Sequence, residues 1–423
     1  MRSFRYLITI IAFFSAACGV FAQQNTLSPY SRFGIGDISN KGFGRSAALG
    51  GTGIGLRSGE HLNYLNPASY TAQDTMSFLF DVGVTSNYTL FESSAGEHQI
   101  ASFYPGHLAI GFPVTSWWKS SIGLLPYSKV GYKVEDDMSV EDVGLVDYFF
   151  EGSGGINRFY VGNAFQLHEN ISVGFDISYL FGSLTRSSSA SFPFDEHAFE
   201  TKSRNRVMVS DFHLKYGLQY SGRINEDYSF TAGVVFENSR SLKASNDMLV
   251  VNELELSEGF VQDTIYNFTG EKDHIDIPMG IGAGFSVKRG NNLVFAADYT
   301  THNWADSRFL GVRDSLANSS MFKTGIEYTN DPGDYDNLLR RTTYRLGFHY
   351  ENTYLQFNDR QLKDYGVTLG FGIPYRGRET SFNFAIDIGQ RGTTSDNLIR
   401  ENYVIFSFSA SLYDFWFIQR RYE

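Results

Sequence analysis

The sequence of 423 residues predicts an all-β fold, a transmembrane antiparallel β-barrel of about 14 strands with an N-terminal plug. Three observations predict it. The chain opens with an apolar stretch of the kind that directs export. Its composition is 16% aromatic with 42 glycines, and yet its mean hydropathy is slightly negative. Apolar and polar residues also alternate in run after run, as in barrel strands that face lipid on one side and the lumen on the other.

The first 22 residues have the organisation of a secretory signal peptide. Arg2 and Arg5 precede an apolar run over residues 6–17. Cleavage is expected after the small residue Ala22, so that the mature chain begins at Gln23. We therefore expect an exported protein of a Gram-negative envelope, located in the cell outer membrane.

Two other interpretations of this start are weaker. A lipoprotein signal would use Cys18, but Ser15 occupies the position where such a signal has a leucine-like residue. A retained anchor helix would need about 20 apolar residues, and the run is shorter. Because Cys18 is the single cysteine of the sequence and lies within the signal, we expect a mature chain without disulfides or thiolate metal sites.

The charge of the chain argues against a nucleic-acid partner. The formal net charge is −11, and loss of Arg2 and Arg5 makes the mature chain more acidic still. Proteins that bind nucleic acid neutralise its phosphates with clustered Lys and Arg, and such a cluster is missing from this sequence. We expect outer-membrane lipid around the protein, and no cofactor.

Alternation with a period of two identifies the strands. Apolar or aromatic residues occupy the odd positions from 171 to 179, and small or polar residues occupy the even positions. The pattern recurs at 228–234, 344–350, 365–373 and 382–388. We expect the polar face to line the lumen, with the charged or titratable side chains Asp176, Arg345, His349 and Asp387. The aromatic residues predicted to lie at the membrane interfaces include Trp117, Trp118, Tyr179, Trp416 and Phe417.

The runs with strand character also predict the connections between strands. Short polar connections at 223–227 and 288–292 are predicted to be periplasmic turns. Longer polar stretches are predicted to be extracellular loops, namely 135–155, 187–206, 238–273 and 330–341. Pro105 and Pro113 lie in an early strand region, where they could interrupt pairing or simply mark edge turns. Strand character begins near residues 76, 100, 119, 157, 171, 207, 227, 274, 292, 321, 341, 365, 381 and 402.

Residues 23–75 differ from the rest of the mature chain. They are rich in glycine and lack a clear strand period, and glycine permits close backbone approach and positive φ. The segment is too long for one strand and too apolar for a disordered tail. The expected organisation is a signal peptide over 1–22, a glycine-rich plug over 23–75 and an outer-membrane barrel over 76–423.

Two short motifs in this segment resemble those of a known family. Gly50, Gly51 and Gly53 lie in Ala-Leu-Gly-Gly-Thr-Gly, and Asn66, Pro67 and Ala68 end Tyr-Leu-Asn-Pro-Ala. Together they resemble the N-terminal glycine motif and the Asn-Pro-Ala signature of the FadL/TodX family of outer-membrane transporters for hydrophobic compounds. The chain resembles a Bacteroidetes-type member of that family. The resemblance implies a fourteen-stranded barrel whose N-terminal hatch is shaped by these six residues. The chain departs from outer-membrane barrels in ending with Arg420, Arg421, Tyr422 and Glu423 instead of an aromatic residue.

Catalytic and metal-binding patterns are weak by comparison. The glycines of residues 51–55 lack the spacing and the Lys-Ser/Thr pair of a nucleotide loop. Residues 151–155 lack the spacing of a nucleophile elbow, and the nine histidines are scattered. Acidic clusters at 135–142 and 331–336 match no defined calcium loop and are predicted to be solvated. We expect no catalytic residues, no resident metal and no enzyme activity.

Two functions fit the sequence. The first is a plug-gated, FadL-like channel for uptake of hydrophobic small molecules, with a lipid-like ligand as its partner. The second is a barrel subunit of an outer-membrane secretion or barrel-assembly complex, with other envelope proteins as partners. Transport predicts an apolar pocket beneath the hatch, whereas a scaffold predicts a filled lumen.

Overall fold

The computed structural model describes residues 28–39, 41–94, 96–141, 144–194, 198–256, 259–313, 316–334, 336–375 and 380–415. The predicted signal peptide, with Cys18 and the cleavage site after Ala22, lies outside these residues. So do Trp416, Phe417 and the basic residues near the C-terminus.

Most of the described chain is β-strand. A two-residue strand in the N-terminal segment, β1, precedes the first strand of the barrel wall, β2, which begins at Ser77. The strands are β1 Asp37–Ile38, β2 Ser77–Ser93, β3 Gly96–Pro113, β4 Trp118–Val140, β5 Gly144–His168, β6 Ile171–Ser191, β7 Glu200–Arg223, β8 Tyr228–Glu237, β9 Arg240–Leu256, β10 Gly259–Ile277, β11 Gly280–Arg289, β12 Leu293–His302, β13 Arg308–Phe309, β14 Val312–Arg313, β15 Ser319–Thr329, β16 Thr343–Phe357, β17 Arg360–Tyr375, β18 Thr380–Arg391 and β19 Arg400–Phe415.

The helices of the described residues are short. The α-helices are α1, Gly44–Ala47, and α2, Leu338–Arg341, and 3-10 helices span Pro29–Arg32, Pro67–Ala72, Trp304–Asp306 and Ser395–Asn397. Within the described ranges, none of the helices is long and apolar enough to cross a membrane.

The sheet closes into an antiparallel barrel of fourteen strands, as the sequence predicts. Its last strand, β19, pairs with its first, β2, along the whole length from Arg400–Glu92 to Phe415–Ser77. Two of the fourteen wall strands are interrupted. The strand formed by β8 and β9 breaks at Asn238 and Ser239, and the strand formed by β10 and β11 breaks at Pro278 and Met279. Proline cannot donate a ladder hydrogen bond, which accounts for the second break.

Side-chain burial follows the predicted period. Along β6, Ser172, Gly174, Asp176 and Ser178 are buried, whereas Ile177 between them is exposed. Many apolar residues point outward from the wall and are exposed. Together they form the lipid-facing belt that a transmembrane barrel requires. The exposed belt residues include Tyr216, Leu218, Tyr220, Phe285, Phe295, Leu346, Leu369 and Phe406.

The two ends of the barrel differ in their connections. Turns at 114–117, 169–170, 224–227 and 290–292 lie at the end where the chain enters β2 and leaves β19. We call this the short-turn end, which is periplasmic in bacterial barrels. At the opposite end the predicted loops 135–155, 187–206 and 238–273 are instead mostly extended strands: β4 and β5 pair out to Val140 and Gly144, and β9 pairs with β10.

The prediction that residues 330–341 form an extracellular loop is wrong. The connection at 330–341 joins β15 to β16 at the short-turn end, beside the turn at 290–292. The Asn292 side-chain amide donates hydrogen bonds to the carbonyl oxygens of Thr329 (2.9 Å) and Asn330 (2.7 Å). Length and polarity alone suggested the extracellular side, but strand direction decides which end a connection occupies.

Candidate functional site

The N-terminal segment, residues 28–76 without residue 40, lies inside the barrel. It begins near the end opposite the short turns, where the Tyr30 hydroxyl donates to the Ile399 carbonyl at 2.6 Å and the Ser28 amide donates to the Gly131 carbonyl at 2.9 Å. Its 3-10 helix Pro67–Ala72 packs against β4, β5, β6 and β7, and its helix α1 packs against β18 and β19. The segment therefore reaches opposite sides of the wall.

The predicted glycines Gly50 and Gly51 form a tight turn between α1 and the next stretch of the segment. Their φ angles are +69° and +84°, a left-handed conformation that favours glycine. The Gly50 amide donates to the Thr368 hydroxyl at 2.9 Å, and that hydroxyl donates to the Ala48 carbonyl at 3.0 Å. The turn is thus fixed to β17 by a fully buried side chain.

Gly53 binds the wall through its backbone. The Asp298 carboxylate of β12 accepts hydrogen bonds from the amides of Gly53 (2.6 Å) and Ile54 (2.9 Å). On the other side, the Gln219 amide donates to the carbonyl oxygens of Ile54 (3.0 Å) and Leu56 (3.1 Å). Wall side chains therefore replace the secondary structure that this irregular backbone lacks.

Asn66, Pro67 and Ala68 form the start of a 3-10 helix and not a simple turn. Asn66 is fully buried, and its side-chain oxygen accepts a hydrogen bond from the Ala68 amide at 3.1 Å, as a helix N-cap does. Its side-chain nitrogen donates to the Ile54 carbonyl at 2.9 Å. Asn66 thus joins the two predicted motifs to each other, and Pro67 occupies the first helical position.

Glycines of the wall, which were not predicted as site residues, surround this segment. A Cβ added at Gly217 would overlap the Asn66 side-chain oxygen, and one at Gly347 would overlap the Gly50 amide nitrogen. The segment therefore lies directly on the backbone of the wall. The wall glycines that its atoms approach include Gly162, Gly174, Gly217, Gly233, Gly325, Gly347 and Gly370, on seven different strands.

Ion pairs attach helix α1 and its surroundings to the wall. Arg45 donates to both Glu327 carboxylate oxygens, at 2.8 and 2.9 Å, and Arg345 donates to the same carboxylate at 2.8 Å. Burial alone would lower the pKa of Arg45, but the Glu327 charge, the hydrogen bonds to Glu327 and the Glu60 charge together outweigh burial, and the pKa is raised. Lys41 pairs with Asp387, which also contacts His349. The predicted lumen residues Arg345, His349 and Asp387 thus hold the segment.

Two cavities lie between the segment and the wall, and both are lined by charged groups. One of about 590 Å³ opens at the short-turn end and is lined by Arg45, Arg57, Glu60 and Glu327 among others. The second, of about 200 Å³, is lined by Asp37, Lys41, Lys129, Asp364, Arg391 and Glu401 among others. Three further cavities are no larger than about 80 Å³. The segment therefore occupies much of the described interior, and the larger of the two main cavities is mainly polar, whereas the smaller one also has apolar lining residues such as Val84, Ile405 and Phe408.

The wall is split between β3 and β4. These strands pair from Pro113–Lys119 to Leu108–Leu124 and then part. Beyond this point the freed edge of β4 pairs with β1 of the N-terminal segment, at Ser128 and Lys129. Pro105 lies next to the bulge in the β2–β3 ladder just beyond the split. Pairing on the β4 side of β3 is therefore interrupted towards Pro105, whereas Pro113 pairs with Lys119 and ends its strand before a turn.

The described residues contain no group of three or more His, Cys, Asp or Glu side chains arranged to hold a metal ion. In particular, the acidic residues near 331–336 bond to their own backbone: Asp331 accepts from the Gly333 amide at 2.9 Å.

The fold is that of solved outer-membrane channels. The toluene transporter TodX of P. putida is 14% identical with a TM-score of 0.60, and the match covers 89% of this chain and 99% of that one. A Pseudomonas aeruginosa FadL homologue is 13% identical with a TM-score of 0.59, over 90% and 99%. The CymD monoaromatic hydrocarbon channel is 14% identical with a TM-score of 0.56, over 90% and 98%. At such low sequence identities, the similarity to these channels shows a shared fold.

Sequence comparison adds the family. No curated protein has a significantly similar sequence. The sequence profile of the BamG family, however, matches residues 4–423, which is almost the whole chain. The resemblance seen in the glycine and Asn-Pro-Ala motifs is therefore correct for the fold, and the chain belongs to the BamG family.

Proposed function

We propose that this protein is a barrel subunit of an outer-membrane secretion or barrel-assembly complex, and that it acts by binding other envelope proteins. Its lipid-facing belt would hold it in the outer membrane after export, and its ends would present binding surfaces to partners. In this role the N-terminal segment is a fixed plug that stabilises the barrel.

The filled lumen is the observation that carries the proposal. Asp298, Gln219 and Thr368 bind the backbone of the segment, and Arg45 and Arg345 share the Glu327 carboxylate. A hydrophobic molecule crossing the lumen would have to break these contacts and leave buried polar groups unpaired, at roughly 1–3 kcal/mol for each group. In the cavity of about 590 Å³ such a molecule would meet mainly polar groups, which offer it little compensation.

Native mass spectrometry of the protein purified in mild detergent tests the proposal. We expect an affinity tag placed after Ala22 to recover the barrel with a stoichiometric protein partner and without a hydrophobic ligand. A similarly tagged, unrelated barrel from the same membrane is the control for non-specific capture. Recovery of a monomer carrying a lipid-like molecule would overturn the proposal.

Uptake of hydrophobic small molecules is the second candidate. The split between β3 and β4 favours it, because the cavity of about 200 Å³ beside the split is lined by Tyr104 and Lys129 from these strands. The solved channels of the same fold are described as carrying toluene or monoaromatic hydrocarbons. In this role Gly50, Gly51, Gly53, Asn66, Pro67 and Ala68 would shape a movable hatch. The same mass spectra distinguish the two candidates, since transport predicts bound ligand.

A further inference from the structure

The cavity of about 590 Å³ at the short-turn end, which we call the vestibule, has no role in the functions proposed above. It lies between the wall, from β7 round to β18, and the parts of the N-terminal segment near residues 56–61 and 72–74. Its basic lining residues are Arg45, Arg57, Arg223, Lys288, Arg341 and Arg345.

The vestibule is positively charged, although the whole chain has a formal net charge of −11. Against its six basic residues stand the acidic residues Glu60, Asp74 and Glu327. Glu327 is already shared between Arg45 and Arg345. The remaining positive charge faces the end of the barrel that opens to the periplasm.

Arg57 is a vestibule cation without an ion pair among the described residues. Its guanidinium donates to the Ser172 hydroxyl at 3.2 Å and to the Gln219 side-chain oxygen at 3.5 Å, and both partners are neutral. Burial lowers the pKa of Arg57 to about 10. A cation removed from water without an anion is costly, and that cost falls when an anion binds beside it.

Guanidinium groups bind carboxylates and phosphates well, because their planar donors match two oxygens at once. The position of the vestibule selects between these anions. Barrel wall separates it from the lipid on the side from β7 to β18, and it opens along the barrel axis, where an extended peptide can enter. Its volume is also within the usual range of pockets for ligands of a few hundred daltons, which corresponds to a few residues.

We propose that the vestibule binds the carboxylates of an acidic peptide segment of a periplasmic protein, with Arg57 as the innermost contact. This inference rests on the proposed function, because the peptide belongs to a partner of the complex. Arg223 and Lys288, whose side chains are nearer the opening, guide the peptide inward by long-range attraction.

Fluorescence anisotropy of the full-length protein in nanodiscs tests the site with a labelled hexaglutamate peptide. We expect binding that weakens as salt is raised, and no binding of a matched hexaglutamine peptide. Arg57→Gln should weaken hexaglutamate binding about tenfold, which is the effect of losing one charge-assisted hydrogen bond. Arg360→Gln, at the opposite end of the barrel, is the matched control and should bind as the wild type does.

Equal binding of both peptides, or unchanged hexaglutamate binding by Arg57→Gln, would overturn the assignment. It would also be overturned if inorganic phosphate bound as tightly as the peptide. The fourth outcome against it is loss of peptide binding when phosphatidylcholine nanodiscs are replaced by phosphatidylglycerol nanodiscs. Arg57→Gln should fold normally, since it removes an unbalanced charge, and thermal unfolding checks this. If Arg57→Gln proves unstable, the same binding measurement is made with Arg223→Gln, which alters a basic residue at the opening of the vestibule.

Purification from cells separates this inference from the function on which it rests. A partner recovered equally with wild type and Arg57→Gln would support the complex and overturn the vestibule as its docking site. Recovery of no partner with the wild type would overturn the proposed function, while the peptide measurement would still report whether the vestibule binds acidic chains.

Discussion

Close approach of the N-terminal segment to the wall backbone depends on individual glycines in this barrel. Gly217 on β7 lies against Asn66, and Gly174 on β6 lies against the peptide group of Pro67. Each stands on the inward, polar face of its strand, two residues from a side chain that faces the segment, such as Gln219 or Ser172. Because the wall cannot recede, a side chain at such a position displaces the segment.

Gly217→Ala is therefore expected to destabilise the protein by roughly 1–3 kcal/mol, the usual cost of overpacking. The new methyl group would overlap the side-chain oxygen of Asn66 and disturb the cap of the 3-10 helix. The midpoint of thermal unfolding in detergent, followed by electrophoretic mobility, measures the change. Gly222→Ala on the same strand is the control, because its methyl group meets only the movable ring edge of Phe230. Equal midpoints for Gly217→Ala and wild type would contradict the close contact.

Strands and irregular elements differ in how far they could be predicted. Period-two runs such as 171–179 correspond to β6, since one side of such a strand faces lipid and the other the lumen. The outer parts of β4, β5, β9 and β10 were predicted as loops, because beyond the membrane both faces of a strand meet water and the alternation is lost. The 3-10 helix at Pro67 was not predicted, since Asn-Pro begins turns as well as helices.

The stretch of the N-terminal segment around His61 should respond to acid. The His61 ring lies 3.4 Å from the Ser58 hydroxyl and 3.3 Å from the Ser381 hydroxyl. Burial, followed by the charges of Arg45 and Arg345, lowers its pKa to about 3. The folded state thus favours the neutral ring, so this contribution to stability is complete above the ordinary pKa of 6.5 and is lost as pH falls from 6.5 towards 3.

We expect the wild type to lose stability relative to His61→Gln as pH falls from 7.5 to 4.5, by at most about 1.4 kcal/mol for each pH unit below 6.5. Thermal unfolding midpoints of the two proteins across this range measure the effect. His168→Gln, at the exposed end of β5, is the control and should follow the wild type. A difference between wild type and His61→Gln that is constant with pH would show that His61 is not held neutral in the fold.

At the scale of the whole molecule, the barrel was predictable and the state of its lumen was not. Exported strands with a repeated period close into a barrel because an open edge in lipid would leave backbone groups unpaired. The glycine motif and Asn66 also marked the segment that enters the lumen. How far that segment fills it depends on pairings such as Arg45 with Glu327 and Gly53 with Asp298, which join residues more than 200 positions apart. No local pattern in the sequence records such pairings.

A filled lumen predicts a closed pore. Reconstituted in a planar lipid bilayer, the wild-type protein should show no steady ion conductance, because Asn66 and Gly50 bind the segment to opposite parts of the wall across the lumen. Urea solvates peptide groups and weakens these contacts, so moderate urea should produce conductance that disappears on its removal. This reversible opening also proves that the protein had inserted. Steady conductance of the untreated wild type would contradict the filled lumen, and with it the reason for preferring a scaffold to a channel.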